Sequence, residues 1–349
     1  MNQNYVKVLG MEFSNFLKKW AQLIDKRLDE ILGETEQEMG LINPELKKLF
    51  KEFIKASKGG KRIRGALVLL GYQISGGKDL EKVLDAAVAY EIFQTAILAQ
   101  DDIIDKSLLR RGKPSLYAAL GGLHRGISET LCLSDLGFFI ANKLISELDV
   151  DPELLIRAIK LFSIIQMDTT VGQLLDVETP FLKRNFLESD SLKISLLKTA
   201  RYTITGPLSL GATLGGSDEK FLKILQKFGD NLGIAFQIQD DILGIFGDEK
   251  LTGKSASSDI KECKATLLIS FAQKKGSKEE RGLLEKYYGD PEVDQKGIEA
   301  VKEVFIKTGA LDYAQSQVEV YFKNAEQALK GSGQEVLYSL IEFIKDRKN

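Results

Sequence analysis

The sequence predicts an all-α protein built as a single large domain. Only six of the 349 residues are prolines, and over long stretches the apolar residues recur every three or four positions. No segment shows the strict alternation of apolar and polar residues that indicates a half-buried strand. Hydrophobic residues make up 44% of the chain, which is enough to bury a large core. No linker rich in Pro, Gly or Ser divides residues 1–349, so one helical domain is expected.

The helices are predicted in order from this periodicity. Apolar residues at helical spacing between Phe13 and Ile31 predict a packing helix in an N-terminal lead-in that covers residues 1–43. Glycine pairs such as Gly76-Gly77 and the Asp290-Pro291 step mark breaks between later helices. The helices after the lead-in are predicted at 44–57, 61–74, 80–107, 127–147, 152–178, 190–215, 219–246, 260–274, 294–329 and 333–346.

The charge balance and the rare residue types exclude several classes of function. Lys and Arg total 48 and Asp and Glu total 50, so a net charge of −2 provides no general attraction to nucleic acid or to an anionic membrane. A single histidine, His124, excludes a multi-histidine metal site. Any metal ligands should therefore be carboxylates, which suit Mg²⁺. Cys132 and Cys263 lie far apart and are expected to be buried thiols in a reducing compartment.

The N-terminus shows no secretion signal. Residues 1–10 lack a basic segment followed by an apolar run, and no stretch approaches the 18 uninterrupted apolar residues of a membrane span. We therefore expect a cytoplasmic protein without a membrane span.

Two acidic clusters follow apolar helices and carry the chemistry. On the helix that contains residues 86–99, Asp101 and Asp105 are four positions apart and share a face, with Asp102 beside them. Asp240 and Asp241 lie in a second apolar helix. Carboxylates crowded at apolar helices repel one another unless divalent cations bind them. If the clusters face each other across a cavity, they would hold a diphosphate through Mg²⁺; the structural alternative is a pair of solvated helix ends.

Basic residues lie near both clusters. Lys61, Arg62 and Arg64 follow a glycine pair at a helix start, where backbone N–H groups and the helix dipole favour an anion. The pair Arg110-Arg111 follows the first acidic cluster. Lysines that interrupt or follow apolar segments could stabilise charge on a departing diphosphate; these are Lys198 and Lys254. The alternative for each group is a solvated basic surface.

In their order and spacing these segments resemble the trans-isoprenyl diphosphate synthase (polyprenyl synthetase) family. The resemblance extends over residues 59–266, and its motifs are GGKRIRG (59–65), DDIIDKSLLRRG (101–112), VGQLLDVE (171–178), KTARYT (198–203), FQIQDDILGIFGD (236–248) and TGKSASSDIKECKATLL (252–268). It implies the isoprenoid synthase fold, a single helical bundle around a deep central cavity, as a homodimer. It also implies a transferase that condenses isopentenyl diphosphate with an allylic diphosphate (dimethylallyl, geranyl or farnesyl) into a linear all-trans product.

The resemblance also implies a role for each site residue. Three Mg²⁺ ions, for which Mn²⁺ may substitute, would be held by Asp101, Asp102, Asp105, Asp240 and Asp241. The allylic diphosphate would contact Arg110, Lys198 and Lys254. The diphosphate of isopentenyl diphosphate would contact Lys61, Arg64, Arg111 and Gln94. Polar groups at the reaction centre would be Gln173, Thr199 and Gln237.

The chain departs from the family pattern at three places. Gly244 stands where many members have a third Asp, so that carboxylate would come from Asp248, from water or from nowhere. Gln94 replaces a frequent His, and Lys264-Ala265 replace a more basic stretch. None of these changes is expected to abolish activity.

Product length is predicted from the helix that ends at the first acidic cluster. Ala96 and Ile97 lie five and four positions before Asp101, where farnesyl-making relatives often carry an aromatic floor. Phe93 lies about one turn, ~5 Å, deeper, which is roughly the length of one more isoprene unit. This favours the C20 product geranylgeranyl diphosphate over farnesyl or longer (C25 and above) products. A deeper residue such as Phe138 or Phe139 is the alternative end of the channel.

Two other functions are the alternatives to a prenyl diphosphate synthase. A terpene cyclase of the same fold would usually lack the second Asp pair and would not need the basic loop at residues 59–65. A non-catalytic partner subunit would typically lose one Asp motif, and only Gly244 points that way.

Overall fold

The computed structural model of the chain describes residues 3–182, 185–247 and 258–346, with side chains from residue 13 onward. Helices make up almost all of the regular structure in these residues, which confirms the all-α prediction. One two-residue antiparallel ladder is the exception in the described part of the chain. None of the described helices is long and apolar enough to cross a membrane.

Contacts between residues divide the chain into two compact units. The first consists of Met1–Ser163 and Gly206–Lys223, and the second of Ile164–Thr205 and Ile224–Asn349. The organisation as one domain stays a prediction.

The first unit is built around a buried central helix, α4. Its elements are α1 (Gln3–Ile42), α2 (Pro44–Ser57), α3 (Ile63–Ile74), a 3₁₀ turn (Leu80–Val83), α4 (Leu84–Ile104), β1 (Leu109–Arg110), β2 (Lys113–Pro114), α5 (Leu116–Ala119), α6 (Leu123–Ser146), the first part of α7 (Pro152–Glu178) and α9 (Gly206–Leu214). Twelve of the α4 residues are buried, from Ala86 to Asp102, and α4 packs most extensively against α6. Glycines let α3 and α9 meet at backbone distance, since a Cβ on Gly71 would lie 2.9 Å from the carbonyl carbon of Leu208.

The second unit contains a π-helix, which is wider than an α-helix. Its elements are the rest of α7, a 3₁₀ turn (Thr179–Phe181), α8 (Glu188–Ile194), a π-helix (Ser195–Thr205), most of α10 (Glu219–Phe246), α11 (Ser258–Lys261), α12 (Leu267–Lys275), α13 (Lys278–Tyr287), α14 (Gln295–Lys307), α15 (Ala310–Ala328) and α16 (Glu335–Lys345). The helix predicted at 190–215 is therefore three consecutive segments: the α-helices α8 and α9, with the π-helix between them.

Three further differences from the sequence predictions have local causes. The helix predicted at 294–329 is broken at Gly309, whose φ of 75° is left-handed. The unpredicted helix α13 begins with a capping box, in which Ser277 and Glu280 exchange side-chain to backbone hydrogen bonds. The expectation of two buried thiols is wrong for Cys132, which is exposed; it lies on α6 next to the exposed Leu131.

Candidate active site

The first acidic cluster lies at the C-terminal end of α4. Asp101 and Asp102 are in its last turn, and Asp105 is its C-cap residue. Carboxylates at this end oppose the helix dipole, so local helix energetics do not favour them. Asp102 is also almost fully buried, at 2% exposure, which makes its charge expensive without a partner.

A tight hairpin supplies that partner. Strands β1 and β2 pair Arg110 with Lys113, and the two residues between them, Arg111 and Gly112, have φ values of 54° and 71°. Positive φ at both central residues is the signature of a type I′ turn, whose twist matches a two-residue hairpin loop. The hairpin thereby fixes the backbone position of both arginines.

Arg110 neutralises the end of α4. Its Nε donates to both carboxylate oxygens of Asp102, at 2.8 and 2.9 Å, and its NH2 lies 3.2 Å from Asp101 Oδ2. Burial disfavours the Arg110 charge, but its hydrogen bonds to Asp102 and the nearby aspartates outweigh burial, so its pKa is raised. In the described residues, no group of three or more Asp, Glu, His or Cys side chains is arranged to hold a metal ion by itself. The carboxylates of α4 are instead paired with a cation that a diphosphate could attract.

Arg111 and the basic residues of the glycine loop at 59–65 lie in the same unit as the first acidic cluster. Arg111 NH1 donates to the carbonyl of Lys58 at 3.3 Å, next to the glycine loop that carries Lys61. The Arg111 pKa is lowered by burial and then by the positive charges of Arg62, Arg110 and Arg64. This excess of positive charge suits an anion with several negative charges.

Gln94 links the basic residues to α4. With its amide oriented to satisfy its neighbours, its oxygen accepts from Arg64 NH1 at 2.9 Å and its nitrogen donates to Glu91 Oε2 at 3.3 Å. The neutral amide thus holds the Arg64 guanidinium from the α4 side. The predicted pairing of Lys61, Arg64, Arg111 and Gln94 in one region is consistent with these contacts, although their role in binding a substrate stays a prediction.

Phe93 belongs to an aromatic cluster inside the first unit. It is 1% exposed, and its ring centroid lies 6.2 Å from Tyr90, 5.8 Å from Phe138 and 5.7 Å from Phe162. Phe138, weighed as an alternative channel end, is therefore a neighbour of Phe93. The second named alternative, Phe139, is 69% exposed and does not belong to this cluster.

Ala96 lies one turn further along α4 than the aromatic cluster. It is fully buried, and a Cβ added to Gly137 of α6 would lie 3.1 Å from its methyl group and 2.8 Å from the ring of Phe53. The small residues at 96 and 137 thus permit α4 and α6 to approach closely. Ile97, on the next position of α4, is half-buried.

In the second unit, the predicted catalytic residues Lys198 and Thr199 lie on the π-helix. Segments of this kind are rare and often occur at functional sites. Glycines of the flanking helices make room for it. A Cβ on Gly172 of α7 would lie 2.7 Å from the Cα of Lys198, and a Cβ on Gly233 of α10 would overlap Ala200.

Asp176 holds two lysines with a single carboxylate oxygen. Lys198 Nζ donates to its Oδ2 at 2.6 Å and Lys264 Nζ at 3.1 Å. Burial acts to raise the pKa of Asp176, but the two lysines outweigh it and the pKa is lowered. Lys198 is therefore charged and held beside a second cation.

A chain of hydrogen bonds joins the π-helix to the second acidic pair on α10. Thr199 Oγ1 donates to Gln237 Oε1 at 2.6 Å, and Gln237 Nε2 donates to Asp241 Oδ1 at 2.7 Å. The pKa of Asp241 is raised well above its ordinary value by burial and by the neighbouring Asp259. A carboxylate in these surroundings gains from a nearby cation. Asp240 and Gln173 are half-buried on α10 and α7.

Asp259 of α11 occupies the place of the side chain that Gly244 lacks. A Cβ built on Gly244 would overlap Oδ2 of Asp259 and lie 3.1 Å from its carboxyl carbon. Asp248, water or no group at all had been expected at this position, and Asp259 is an unpredicted residue there. Asp248 and the predicted catalytic Lys254 lie outside the described residues.

Sequence reasoning missed further residues that support the site. Asp176 lay within the segment at 171–178, and a carboxylate inside a largely apolar helix was the available signal. Glu91 was hidden in an apolar run, and Arg62, although counted among the cations of the glycine loop, was given no role of its own.

Comparison with known proteins identifies relatives of this chain. A family model described as "Polyprenyl synthetase" matches residues 43–305. The chain is 32% identical over 276 residues to a geranylgeranyl diphosphate synthase of Sulfolobus acidocaldarius, covering 78% of this chain and 81% of the relative. It is 31% identical to a geranylfarnesyl diphosphate synthase of Aeropyrum pernix, with 83% and 91% covered.

Solved structures agree with these sequence matches. A geranylgeranyl pyrophosphate synthase of Corynebacterium glutamicum, solved with isoprenyl diphosphate and magnesium, superposes with a TM-score of 0.88 at 28% identity. The match covers 95% of this chain and 99% of that one. The all-α isoprenoid synthase fold is thereby confirmed.

Proposed function

The chain belongs to the polyprenyl synthetase family and is a prenyltransferase, and from this premise we propose that it condenses isopentenyl diphosphate with an allylic diphosphate into geranylgeranyl diphosphate. The observation that carries the proposal is the end of α4, where buried Asp102 and its neighbour Asp101 are both engaged by Arg110. Carboxylates at the C-terminal end of a helix raise the free energy of the folded state, because the helix dipole opposes them. Binding of substrate and metal would offset this cost.

The first unit would bind both diphosphates. Arg110 would exchange part of its contact with Asp101 and Asp102 for the allylic diphosphate. Lys61, Arg64 and Arg111, helped by Gln94, would hold the diphosphate of isopentenyl diphosphate. The bidentate geometry of arginine suits phosphate oxygens, and the pKa of Arg111 is lowered first by burial and then by the positive charges of Arg62 and Arg110, so a bound anion would stabilise its charged form.

The second unit would assist departure of the allylic diphosphate. Lys198, already charged beside Asp176, would donate to the leaving oxygens, as would Lys254. Thr199, Gln237 and Gln173 would line the carbocation that remains, presenting oxygen dipoles to it. The double bond of isopentenyl diphosphate would then attack the carbocation, and the released diphosphate would accept the proton that is lost.

Carboxylate ligands fit the metal that this chemistry needs. We propose that Asp101, Asp102 and Asp105 of the first unit, and Asp240 and Asp241 of the second, are Mg²⁺ ligands, with up to three ions bound in all and Mn²⁺ able to substitute. Mg²⁺ supplies positive charge to the departing diphosphate. The raised pKa of Asp241 supports this assignment, because burial and then the repulsion of Asp259 disfavour its charge, and a bound cation would stabilise it.

The aromatic cluster at Phe93 supports the C20 product. Phe93, Tyr90, Phe138 and Phe162 fill one layer between α4, α6 and α7, and a growing prenyl tail that follows α4 from Asp101 would meet this layer. The relatives include geranylgeranyl and geranylfarnesyl synthases, so farnesyl and C25 or longer products remain the alternatives.

Phe93→Ala tests this length assignment. Removing the ring would deepen the channel by roughly the ~5 Å of one helical turn and extend the product by one isoprene unit. The readout is chromatography of the prenyl alcohols after dephosphorylation. Phe139→Ala, at an exposed position of the neighbouring helix α6, is the control and should leave the product unchanged. An unaltered product from Phe93→Ala contradicts the assignment.

A homodimer is proposed from the exposed apolar side chains of two helices. On α6, Leu131 is 43% and Phe139 69% exposed; on α7, Ile156, Met167 and Leu174 are each more than 60% exposed. A helix that is apolar all round belongs in a buried position, and a second copy of the chain would cover the exposed side of α7. Light scattering coupled to size exclusion would give twice the chain mass of 38.8 kDa; a monomer refutes this part.

The reaction itself is tested with the purified chain alone. Incubation with isopentenyl diphosphate, each allylic primer in turn and Mg²⁺, followed by mass analysis, should give a C20 alcohol. A chain that is inactive alone but raises the activity of another synthase would instead be a non-catalytic partner subunit. The carboxylate of Asp259 at the position of the missing Gly244 side chain favours the active enzyme.

A further inference from the structure

We propose that Arg62 and Glu91 form a positioning pair that sets the geometry of the isopentenyl diphosphate loop, so that their loss weakens binding of this substrate and not of the allylic one. The inference rests on the proposed function, because it takes Lys61 and Arg64 as ligands of that diphosphate. Neither Arg62 nor Glu91 has to contact the substrate for the pair to act.

Arg62 is held from two directions. Its side chain is 3% exposed, its Nε donates to Asp25 Oδ1 of α1 at 2.6 Å, and its NH1 donates to Glu91 Oε2 of α4 at 3.3 Å. A buried guanidinium with two carboxylates is strongly tied, since removing a partner would leave an uncompensated charge in the interior. Arg62 therefore joins α1 and α4 to the loop that precedes α3.

The backbone of Arg62 indicates that this tie imposes a conformation. Its φ of 57° is left-handed, a region that a non-glycine residue rarely adopts without compensation. Arg62 is also the N-cap residue of α3 and makes no side-chain capping bond. The two ion pairs provide the compensation, and the turn they enforce decides where Lys61 before it and Arg64 after it leave the backbone.

Glu91 hydrogen-bonds to the loop, to the start of α3 and to Gln94. It is 1% exposed on α4. Its Oε1 accepts from the backbone N–H of Gly65 at 2.9 Å, which fixes the first turn of α3. Its Oε2 accepts from Arg62 and, at 3.3 Å, from the amide of Gln94, which in turn holds Arg64.

The charges around the pair agree with a positioning role. Asp25 and Glu91 offset the charge of Arg62. The pKa of nearby Arg111 is lowered first by burial and then by the positive charges of Arg62, Arg110 and Arg64. Two carboxylates are thus paired with the residue that shapes the loop and is not itself proposed as a ligand. A local displacement of the loop by about 1 Å would alter binding roughly 10- to 100-fold.

Glu91→Gln is the primary variant, because it keeps the volume and an acceptor for Gly65 but removes the charge that holds Arg62. We expect KM for isopentenyl diphosphate to rise roughly 10- to 100-fold, while KM for the allylic primer changes less than about threefold. If this buried variant fails to fold, Asp25→Asn tests the proposal instead, since Asp25 is 53% exposed. Its replacement removes the charge that pairs with Arg62 from the α1 side. For Asp25→Asn a smaller rise with the same selectivity is expected.

Asp85→Asn is the matched control. It removes the partner of Arg27, which joins α1 to α4 through bonds of 2.7 and 2.9 Å but touches no residue of the loop. A similar loss of thermal stability without a shift in either KM is expected. If Asp25→Asn leaves both KM values unchanged, or raises both equally, the positioning role is refuted. A wild-type chain that makes no prenyl product would refute the proposed function instead, and this separates the two failures.

Discussion

Gly172→Ala offers the sharpest test of the idea that the π-helix presents Lys198 to the substrate. Gly172 lies on α7, and a Cβ there would lie 2.7 Å from the carbonyl carbon of Leu197 and from the Cα of Lys198, and would overlap the Lys198 nitrogen. Ordinary carbon–carbon contacts begin near 3.5 Å, so one methyl group would displace the π-helix by about 0.8 Å or more.

The size of the effect follows from that displacement. Overpacking a dense contact costs about 1–3 kcal/mol of stability, which would lower Tm by several degrees. A shift of about 1 Å at a catalytic group costs up to roughly 100-fold in rate. We therefore expect kcat to fall by about 10- to 100-fold, with a smaller change in KM for isopentenyl diphosphate, because the proposed ligands of that substrate lie in the first unit.

Gly282→Ala is the matched control for this substitution. Gly282 lies inside helix α13 of the same unit, and a Cβ there meets nothing within 4 Å. Both changes gain the same helix propensity, about 0.5–1 kcal/mol, so their difference isolates the contact with the π-helix. Steady-state rates and thermal melts of both variants are the assay. A Gly172→Ala enzyme with wild-type kcat and Tm would refute the reasoning.

Two further predictions concern the second unit. Asp176→Asn removes the carboxylate that Lys198 and Lys264 share, although Lys264 keeps its ion pair with Glu262. The change should cost about 1–3 kcal/mol at pH 7, less than for a fully buried pair because both lysines are partly exposed. The folded-state pKa of Asp176 lies below its ordinary value of 3.8, so its stabilisation is fully present above that pH and is lost as the pH falls through the folded-state pKa. The melting temperatures of wild type and variant should therefore converge on acidification below 3.8, and a constant difference argues against the ion pairs. Gly244→Asp should lower the free energy of unfolding by about 1–3 kcal/mol, because its Cβ would overlap the Asp259 carboxylate. Adding Asp259→Gly should restore most of this loss, whereas additive losses in the double variant would contradict the overlap.

The all-α class and the two acidic clusters could be predicted because they depend on local patterns. Periodic apolar residues define helices such as α4 and α10, and carboxylates at their ends stand out against the apolar background. Asp101, Asp102, Asp240 and Asp241 were identified on those grounds alone. Their identification needed no knowledge of which residues approach one another in space.

The parts that escaped prediction depend on tertiary contacts. The region 190–215 has helical periodicity, but its widening into a π-helix reflects the close approach of Gly172 and Gly233, which no local pattern encodes. Glu91 sits in an apolar run, so its bond to Arg62 could not be foreseen, nor could the left-handed backbone that the bond stabilises. The substitution of Asp259 for the missing side chain at Gly244 is likewise a contact between distant positions.

The type I′ hairpin at residues 109–114 has a consequence for how insertions would be tolerated. Arg110 reaches the aspartates of α4, and the adjacent Arg111 reaches the carbonyl of Lys58 in the opposite loop. A single peptide bond therefore fixes the separation between the cation assigned to one substrate and the cation assigned to the other. An insertion of even one residue in this loop would move Arg110 relative to Asp102 and Arg111 relative to the Lys58 carbonyl. The region should therefore resist the changes in length that surface loops normally accept.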